Sequence, residues 1–226
     1  TGYDWGGSNG PIQKRPLSHV WPYAAGSLCS TARDLVAWNT ALHRSRTILG
    51  ADAYRQLTTP DTLNDGTRVG YAKGLAFTPV VGHRSIHHGG GINGWTSDNL
   101  YFPDDSLSII VLYNVSGPSG PSETSEAIAE AVLGRKAVTS TPIVGEASRY
   151  AGTFTGRGRG GPQSLTIVVE NGAVSAQFRG SKRMLTHVGN NTFVWGGVRF
   201  VFTDSAGTIT AVRLDGGSQN NMLKRK

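Results

Sequence analysis

The sequence contains a single cysteine, Cys29, and this excludes an internal disulfide. Small residues surround this cysteine, so we expect a buried structural thiol rather than a nucleophile. No apolar run reaches about eighteen residues and no basic-then-apolar leader is present, so the sequence predicts neither a membrane-spanning helix nor an uncleaved signal peptide. Because the chain begins at Thr1 without an initiator methionine, we expect that a preceding segment has been lost.

Acidic residues are scarce in one part of the sequence. Residues 1–147 carry 11 Lys/Arg and 12 Asp/Glu, whereas residues 148–226 carry 11 Lys/Arg and 3 Asp/Glu. The net charge of +7 therefore comes from the C-terminal third. This asymmetry indicates two modules, and it allows the second to have an acidic partner such as a cell-wall polymer, a lipid head group or a nucleic acid.

Helical and strand patterns are mixed in the first 135 residues. Residues 1–23 show neither period and are predicted to form an extended loop whose aromatic residues pack against another surface, either in this chain or in a part of the protein missing from it. Ser30 or Thr31 can cap a helix that reaches His43, and further helices are predicted over 51–57 and 122–133. Strands are predicted over 71–81, 85–90, 95–102 and 106–115. The last strand is apolar on both faces, which requires cover on both sides.

The remaining residues have the pattern of an all-β module. Residues 136–147 contain Thr-Ser-Thr-Pro and are predicted to be a linker between a domain over 1–135 and a domain over 148–226. Eight short strands separated by turn residues are predicted in the second domain, over 149–155, 164–170, 173–179, 183–188, 192–195, 198–202, 208–214 and 221–224. Eight short antiparallel strands indicate a closed up-and-down barrel, which leaves no exposed edge.

The most unusual stretch runs from His87 to Trp95 and reads His-His-Gly-Gly-Gly-Ile-Asn-Gly-Trp. A glycine run on a strand usually marks a place where a ligand or another backbone comes close. The two histidines alternate along the strand, so only one of them can face a cleft, and the alternative is a histidine pair that merely packs in the sheet. A phosphate-binding loop is disfavoured, because no Lys-Ser/Thr follows and no helix begins there. The histidines and Asp104-Asp105 lack metal-site spacing, so no metal and no cofactor is predicted.

Two other features suggest a function less strongly. The stretch Arg-Gly-Arg-Gly-Gly at 157–161 resembles a short RNA-binding box, but such segments act as longer repeats with aromatic residues. We therefore predict a basic hairpin loop and no specific nucleic-acid partner. Thr1 has the chemistry of an N-terminal nucleophile, although a truncated start explains it more simply.

Several blocks of sequence, in order, resemble the serine β-lactamase-like family, which includes class C β-lactamases, DD-peptidases, D-aminopeptidases and related esterases. The blocks lie at 25–35, 59–60, 70–75, 88–95, 103 and 111–114, and they cover roughly residues 20–134. The resemblance implies an α+β fold, with the C-terminal part of a β-lactamase-like antiparallel sheet and its flanking helices. Residues 148–226 resemble the lipocalin-like β-barrel that some members carry after the catalytic domain.

In that family three motifs line the site: Ser-x-x-Lys with the nucleophile, Tyr-x-Asn, and Lys-Thr-Gly or His-x-Gly on a strand. His88-Gly89-Gly90 resembles the third. The resemblance implies that the amide of Gly91 is an oxyanion donor and that His88 faces the substrate. It also implies that a few neighbours line the substrate cleft, namely Gly89, Gly90, Asn93 and Trp95. Asn93 and Trp95 have turn and core roles as alternatives.

The first two motifs do not occur in this sequence, and in the family both would precede Thr1. The resemblance therefore implies the C-terminal portion of a secreted or periplasmic serine hydrolase that forms an acyl-enzyme from an amide, a β-lactam or an ester. We expect the isolated chain to be inactive and its partners to be a small-molecule or peptide substrate and the missing N-terminal part of the enzyme. Uncovered apolar surface would lead to self-association. The alternative is a non-catalytic binding or regulatory protein that uses the basic barrel.

Overall fold

The computed structural model describes residues 1–6, 8, 10–18, 20–64, 69–158, 161–178, 181–216 and 219–226. Its α-helices are α1 (Ala32–Asn39), α2 (Ala51–Leu57) and α3 (Pro121–Leu133). A π-helical turn, Thr40–Arg44, continues α1, and 3-10 helices lie at Tyr23–Ala25 and Ala147–Tyr150. Within the described ranges, no helix is both long and apolar enough to cross a membrane.

The strands are numbered along the chain. The first eight are β1 (Tyr3–Trp5), β2 (Pro11–Gln13), β3 (Tyr71–Ala72), β4 (Leu75–Ala76), β5 (Ile86–Ile92), β6 (Trp95–Phe102), β7 (Leu107–Tyr113) and β8 (Val115–Ser116). The others are β9 (Gly152–Gly158), β10 (Gly161–Glu170), β11 (Ala173–Phe178), β12 (Ser181–Met184), β13 (Thr186–His187), β14 (Thr192–Trp195), β15 (Val198–Ser205), β16 (Thr208–Gly216) and β17 (Gln219–Arg225).

The chain divides into two compact units. The first contains residues 1–59, 73–76 and 83–135, and the second contains residues 60–72, 77–82 and 136–226. The predicted α+β class is confirmed, because the first unit combines helices with an antiparallel sheet and the second is built around a barrel-like antiparallel sheet. The domain boundaries at 135 and 148 stay a prediction.

The sheet of the first unit runs in the order β4-β5-β6-β7, with antiparallel neighbours. Helix α1 covers one face, where Asn39 Nδ2 donates to Asn99 Oδ1 at 2.7 Å. Helix α3 covers the other face, where the hydroxyls of Tyr113 and Thr124 lie 2.5 Å apart. A helix thus lies over each face of the apolar strand, and Ile109 and Val111 on the α3 face are buried. On the α1 face the predicted cover is only partial, since Leu112 is 42% exposed.

The ends of α1 follow from local chemistry. Thr31 is the N-cap, since its Oγ1 accepts a hydrogen bond from the Asp34 amide at 3.2 Å. Asp34 lies in the first turn, where a negative charge interacts favourably with the helix dipole. The helical stretch reaches Arg44 through the π-helical turn, which agrees with the predicted end near His43.

Two predictions for the first unit are wrong. A single strand over 71–81 does not form, because Lys73 and Gly74 take positive φ angles and turn the chain between the two-residue strands β3 and β4. Residues 1–23 are not entirely loop, since β1 pairs with β2 and with β8 in a small sheet. Trp21 and Tyr23 in that segment are exposed in this chain, so the predicted packing of these two aromatic residues does not occur within the 226 residues.

The barrel in the second unit is nearly closed. Its described strands run in the order β12-β11-β10-β9-β17-β16-β15-β14-β13. The first and last of these strands are consecutive in sequence, separated only by Leu185, whose amide donates to the Val174 carbonyl at 2.9 Å. One predicted strand, 183–188, therefore divides at Leu185 and pairs with β11 on one side and β14 on the other.

An aromatic cluster fills one end of the barrel. The Tyr150 ring lies 4.9 Å from Phe193 and 5.1 Å from Phe202, and its hydroxyl donates to Asn191 Oδ1 at 2.6 Å. Tyr150 belongs to the 3-10 helix Ala147–Tyr150, so the predicted start of the first barrel strand at Arg149 is wrong by three residues. In the predicted basic hairpin loop at 157–161, residues 159 and 160 lie outside the described residues.

His43 is a buried titratable side chain in the first unit. It is 6% exposed, its ring stacks on Tyr101 at 4.7 Å, and its Nδ1 lies 3.1 Å from the Tyr54 hydroxyl. Burial lowers the pKa of His43 from 6.5 to about 4. The side chain is therefore neutral at pH 7 in the folded protein.

This pKa shift predicts acid sensitivity of the fold. Between pH 6.5 and about 4 the unfolded chain binds a proton at His43 and the folded chain does not, so the free energy of unfolding falls as the pH is lowered through this window. The loss attributable to this group is on the order of 3 kcal/mol. Urea unfolding followed by tryptophan fluorescence at several pH values measures it.

The matched variant is His43→Gln, which keeps a hydrogen-bonding group beside Tyr54 but does not titrate. All other groups titrate equally in both proteins, so the difference between their pH profiles isolates His43. An equal loss of stability in both proteins would show that His43 is not the cause.

Candidate functional site

The glycine stretch forms β5, which pairs with β6 in an antiparallel hairpin. Opposite residues are His88 and Asn99, Gly90 and Ser97, and Ile92 and Trp95. Asn93 and Gly94 form the turn, and Gly94 has a φ of +78° that favours glycine. The turn has two residues, so Ile92 and Trp95 are the closing pair of the ladder.

The backbone groups of every second residue in β5 point away from β6. In an antiparallel ladder, opposite pairs alternate between those that exchange two hydrogen bonds and those that exchange none. Because the closing pair Ile92–Trp95 is hydrogen-bonded, Gly90 also bonds to β6, and the amides of Gly89 and Gly91 face the other edge. On that edge β4 pairs with β5 at His87 alone. In the described part of the chain, no strand pairs with that edge at Gly89 or Gly91.

The two histidines lie on opposite faces of the sheet. His88 is exposed and shares a face with Asn99, which is the face covered by α1. His87 is half-buried and lies on the α3 face. The structure thus places an exposed imidazole beside the free edge of Gly89 and Gly91, while the second imidazole is directed away from it.

The three glycines differ in the space around them. A Cβ at Gly90 would lie 2.7 Å from Ser97 Oγ, and a Cβ at Gly89 would lie 3.2 Å from the Ser97 carbonyl oxygen. A Cβ at Gly91 would meet only Thr96 Cγ2, at 3.9 Å. The first two glycines therefore allow close packing of the strands, whereas Gly91 borders open space.

The N-terminal segment holds the tip of the hairpin. The Tyr3 amide lies 3.2 Å from the Gly94 carbonyl oxygen and 2.9 Å from that of Asn114. A Cβ on Gly94 would lie 2.5 Å from the Tyr3 nitrogen, and a Cβ on Gly2 would lie 2.5 Å from Trp95 Nε1. This close approach of two backbones fixes the position of the turn that ends β5.

Asp98 is a buried carboxyl group beneath the glycine strand that the sequence patterns did not single out. It is 4% exposed, and its Oδ1 would lie 3.7 Å from a Cβ at Gly89. Burial raises the pKa of Asp98, and the hydroxyl of Ser125 in α3 opposes the shift. The signal that could have identified it is the alternation of β6, which places Asp98 on the same face as buried Leu100.

The other residues that the sequence analysis singled out, Asn93, Trp95 and Cys29, are all exposed. Asn93 is exposed in the turn, and Trp95 is 47% exposed, so the core role for Trp95 is wrong. Cys29 is exposed, so the predicted buried thiol is also wrong. Among the residues that the structure describes, no group of three His, Cys, Asp or Glu side chains could hold a metal ion.

Comparison with known proteins gives a family for this region. The family model described as Beta-lactamase matches residues 1–133. The D-aminopeptidase of Brucella ovis is 32% identical over 117 residues, which is 52% of this chain and 22% of that protein. The D-aminopeptidase of Gluconobacter oxydans is 31% identical over 98 residues, which is 43% of this chain and 18% of that protein.

A crystal structure of SurE has the same fold, with a TM-score of 0.52 and 18% sequence identity. The alignment covers 99% of this chain and 55% of the SurE chain. The chain thus spans about a fifth of the length of the two D-aminopeptidases and about half of the length of SurE.

Two glycines of the β5–β6 hairpin, Gly94 in the turn and Gly91 in β5, predict different effects of substitution by alanine on stability. We expect Gly94→Ala to lower the free energy of unfolding by at least about 2 kcal/mol, because it combines a positive φ with a contact against the Tyr3 backbone. Gly91→Ala meets open space without a positive φ, so we expect stability unchanged or raised by up to about 1 kcal/mol. Urea unfolding of both variants checks this, and equal destabilisation would contradict the assigned geometry.

Proposed function

This chain belongs to the Beta-lactamase family through residues 1–133, and on that premise we propose that its β5 edge is one wall of a serine acyl-transfer site. The observation that carries the proposal is the register of the hairpin. It directs the amides of Gly89 and Gly91 towards an edge where no described strand pairs with these two residues, and exposed His88 lies beside it. The substrate is an amide, a β-lactam or an ester.

The proposed role of Gly91 is to donate a hydrogen bond to the oxyanion. Acyl transfer needs backbone N–H groups aimed where the carbonyl oxygen gains charge, and the loss of one donor costs on the order of 3 kcal/mol of transition-state stabilisation. The Gly91 amide faces the edge and borders open space, so a carbonyl oxygen can approach it. The second donor would be the amide of the nucleophilic serine.

The same edge would align the substrate. An extended acyl or peptide backbone can pair with the outward N–H and C=O groups of Gly89 as an added strand. Because Gly89 and Gly90 carry no side chains, nothing projects from this part of β5 over the approaching chain. Asn93 and Trp95, exposed at the tip, would contact the far end of the substrate.

The nucleophile would come from a Ser-x-x-Lys segment outside these 226 residues, because the motif is absent from the sequence. Exposed apolar side chains in the first unit support a surface that packs against such a segment. They include Trp21, Leu28 and Trp38, with Leu28 97% exposed. The D-aminopeptidase relatives favour an amide or peptide substrate with a D-residue at the N-terminus.

The proposal predicts that the 226-residue chain alone does not react with a fluorescent fluorophosphonate or a fluorescent penicillin. A polypeptide that joins a family segment containing Ser-x-x-Lys to Thr1 should become labelled, and Ser→Ala in that motif should abolish the label. Denaturing gel electrophoresis with fluorescence detection measures the covalent product. Labelling of the isolated chain would show that it carries its own nucleophile and would overturn the proposal.

The proposed role of His88 predicts a contribution to substrate binding in the joined polypeptide. His88 is exposed beside the outward edge of Gly89 and Gly91, where its imidazole can donate a hydrogen bond to a substrate carboxylate. We expect His88→Ala to raise the KM for a carboxylate substrate by about tenfold, because a hydrogen bond to a charged group contributes about 1.5–3 kcal/mol. His87→Ala, on the opposite face, is the control. An unchanged KM for His88→Ala would exclude this role.

A further inference from the structure

The outer face of the barrel carries a continuous group of basic side chains on three neighbouring strands. Lys224 in β17 is exposed, whereas the preceding residue, Leu223, is fully buried. Because neighbouring residues of a strand point to opposite faces, Lys224 points out of the barrel. Thr155 pairs with Lys224, and Arg157 follows Thr155 at the same face of β9. We call the group of Arg157, Arg213, Met222 and Lys224 the basic face.

The register places these side chains around an exposed methionine. Met222 lies opposite Arg213 in the ladder between β16 and β17, and it is 40% exposed. Lys224 is two residues from Met222 on the same side of β17. Arg157 and Lys224 are diagonal neighbours across the ladder of β17 and β9, a spacing of roughly 7–8 Å between such positions.

Two of the three acidic residues of the C-terminal third form salt bridges away from this face. Glu170 pairs with Lys182 at 2.6 Å, and Asp204 pairs with Arg149. The third, Asp215, lies two residues from Arg213 on the same side of β16, but it is 5% exposed and its Oδ1 accepts a hydrogen bond from the Gly70 amide at 3.2 Å. Within the described ranges, no carboxylate forms a salt bridge with Arg157 or Lys224. The positive charges of Arg157 and Lys224 are therefore available to an external anion.

The side chains of the basic face favour a lipid surface over a nucleic acid. Binding of single strands relies on aromatic platforms, and the one aromatic residue in β9, β16 and β17 is Phe154, which is fully buried. A half-exposed methionine among cations suits an interface that has anionic head groups above an apolar layer. Val201, which lies opposite Arg213 on β15, is half-buried and adds apolar surface.

We propose that the basic face docks on the surface of an anionic phospholipid bilayer. The lysine and arginine side chains contact the head groups, and Met222 enters the interfacial layer. This interaction is peripheral and electrostatic, so it weakens as salt screens the charges.

Co-sedimentation of the chain with vesicles tests the proposal. We expect binding to vesicles of phosphatidylcholine mixed with phosphatidylglycerol, weaker binding as NaCl is added, and little binding to phosphatidylcholine alone. Lys224→Gln and Arg157→Gln should each weaken binding about fivefold, the effect of one basic residue near an anionic surface. Met222→Gln should also weaken it.

The matched control is Lys182→Gln, which removes the same charge at an exposed lysine that already pairs with Glu170. We expect little effect from this variant, and unchanged melting temperatures show that all variants fold. Equal losses for Lys182→Gln and Lys224→Gln would show that net charge, not the basic face, drives binding. Absence of vesicle binding, or binding to single-stranded DNA with the same variant pattern, would also overturn the proposal.

Discussion

The pairing of β5 with β6 is the constraint on which the candidate site depends. The two-residue turn at Asn93-Gly94 fixes the register, and the register decides which amides of the glycine strand face outward. If the register of β5 against β6 shifted by one residue, the amides of Gly89 and Gly91 would point towards β6 and His88 would move to the opposite face of the sheet. The contact of Gly94 with the Tyr3 backbone holds this turn, so the N-terminal segment contributes to the site without supplying a side chain to it.

The sheet behind the glycine strand is held from both sides. Asn39 of α1 bonds to Asn99 on the face of His88, and α3 packs on the face that contains buried Asp98. Packing on both faces opposes displacement of the strand ladder, and the oxyanion donor proposed at its edge depends on a fixed strand position. A site built from backbone amides needs this support, because no side chain can adjust to correct a displaced strand.

The two units use charge differently. In the first, acidic and basic residues are nearly balanced, and the candidate site relies on backbone donors and one imidazole. In the second, Glu170 and Asp204 pair with Lys182 and Arg149, and no carboxylate in the described part of the chain forms a salt bridge with Arg157 or Lys224. A binding role for the barrel concerns the second unit and the proposed catalytic site concerns the first, so one protein can have both roles. The alternative of a non-catalytic binding protein stays a prediction.

The sequence by itself determined the fold class, the positions of α2, α3, β6 and β14 and the family, because these depend on local periodicity and motif order. It narrowed the cap of α1 to Ser30 or Thr31, and the structure shows that the cap is Thr31. It did not reveal the break at Lys73-Gly74, the burial of Asp98 or the exposure of Cys29 and Trp95. These were decided by tertiary structure, since burial depends on what packs above a residue and on residues distant in sequence. The pairing of β1 with β8 and the pairing of β17 with β9 are long-range contacts of the same kind, which no local pattern encodes.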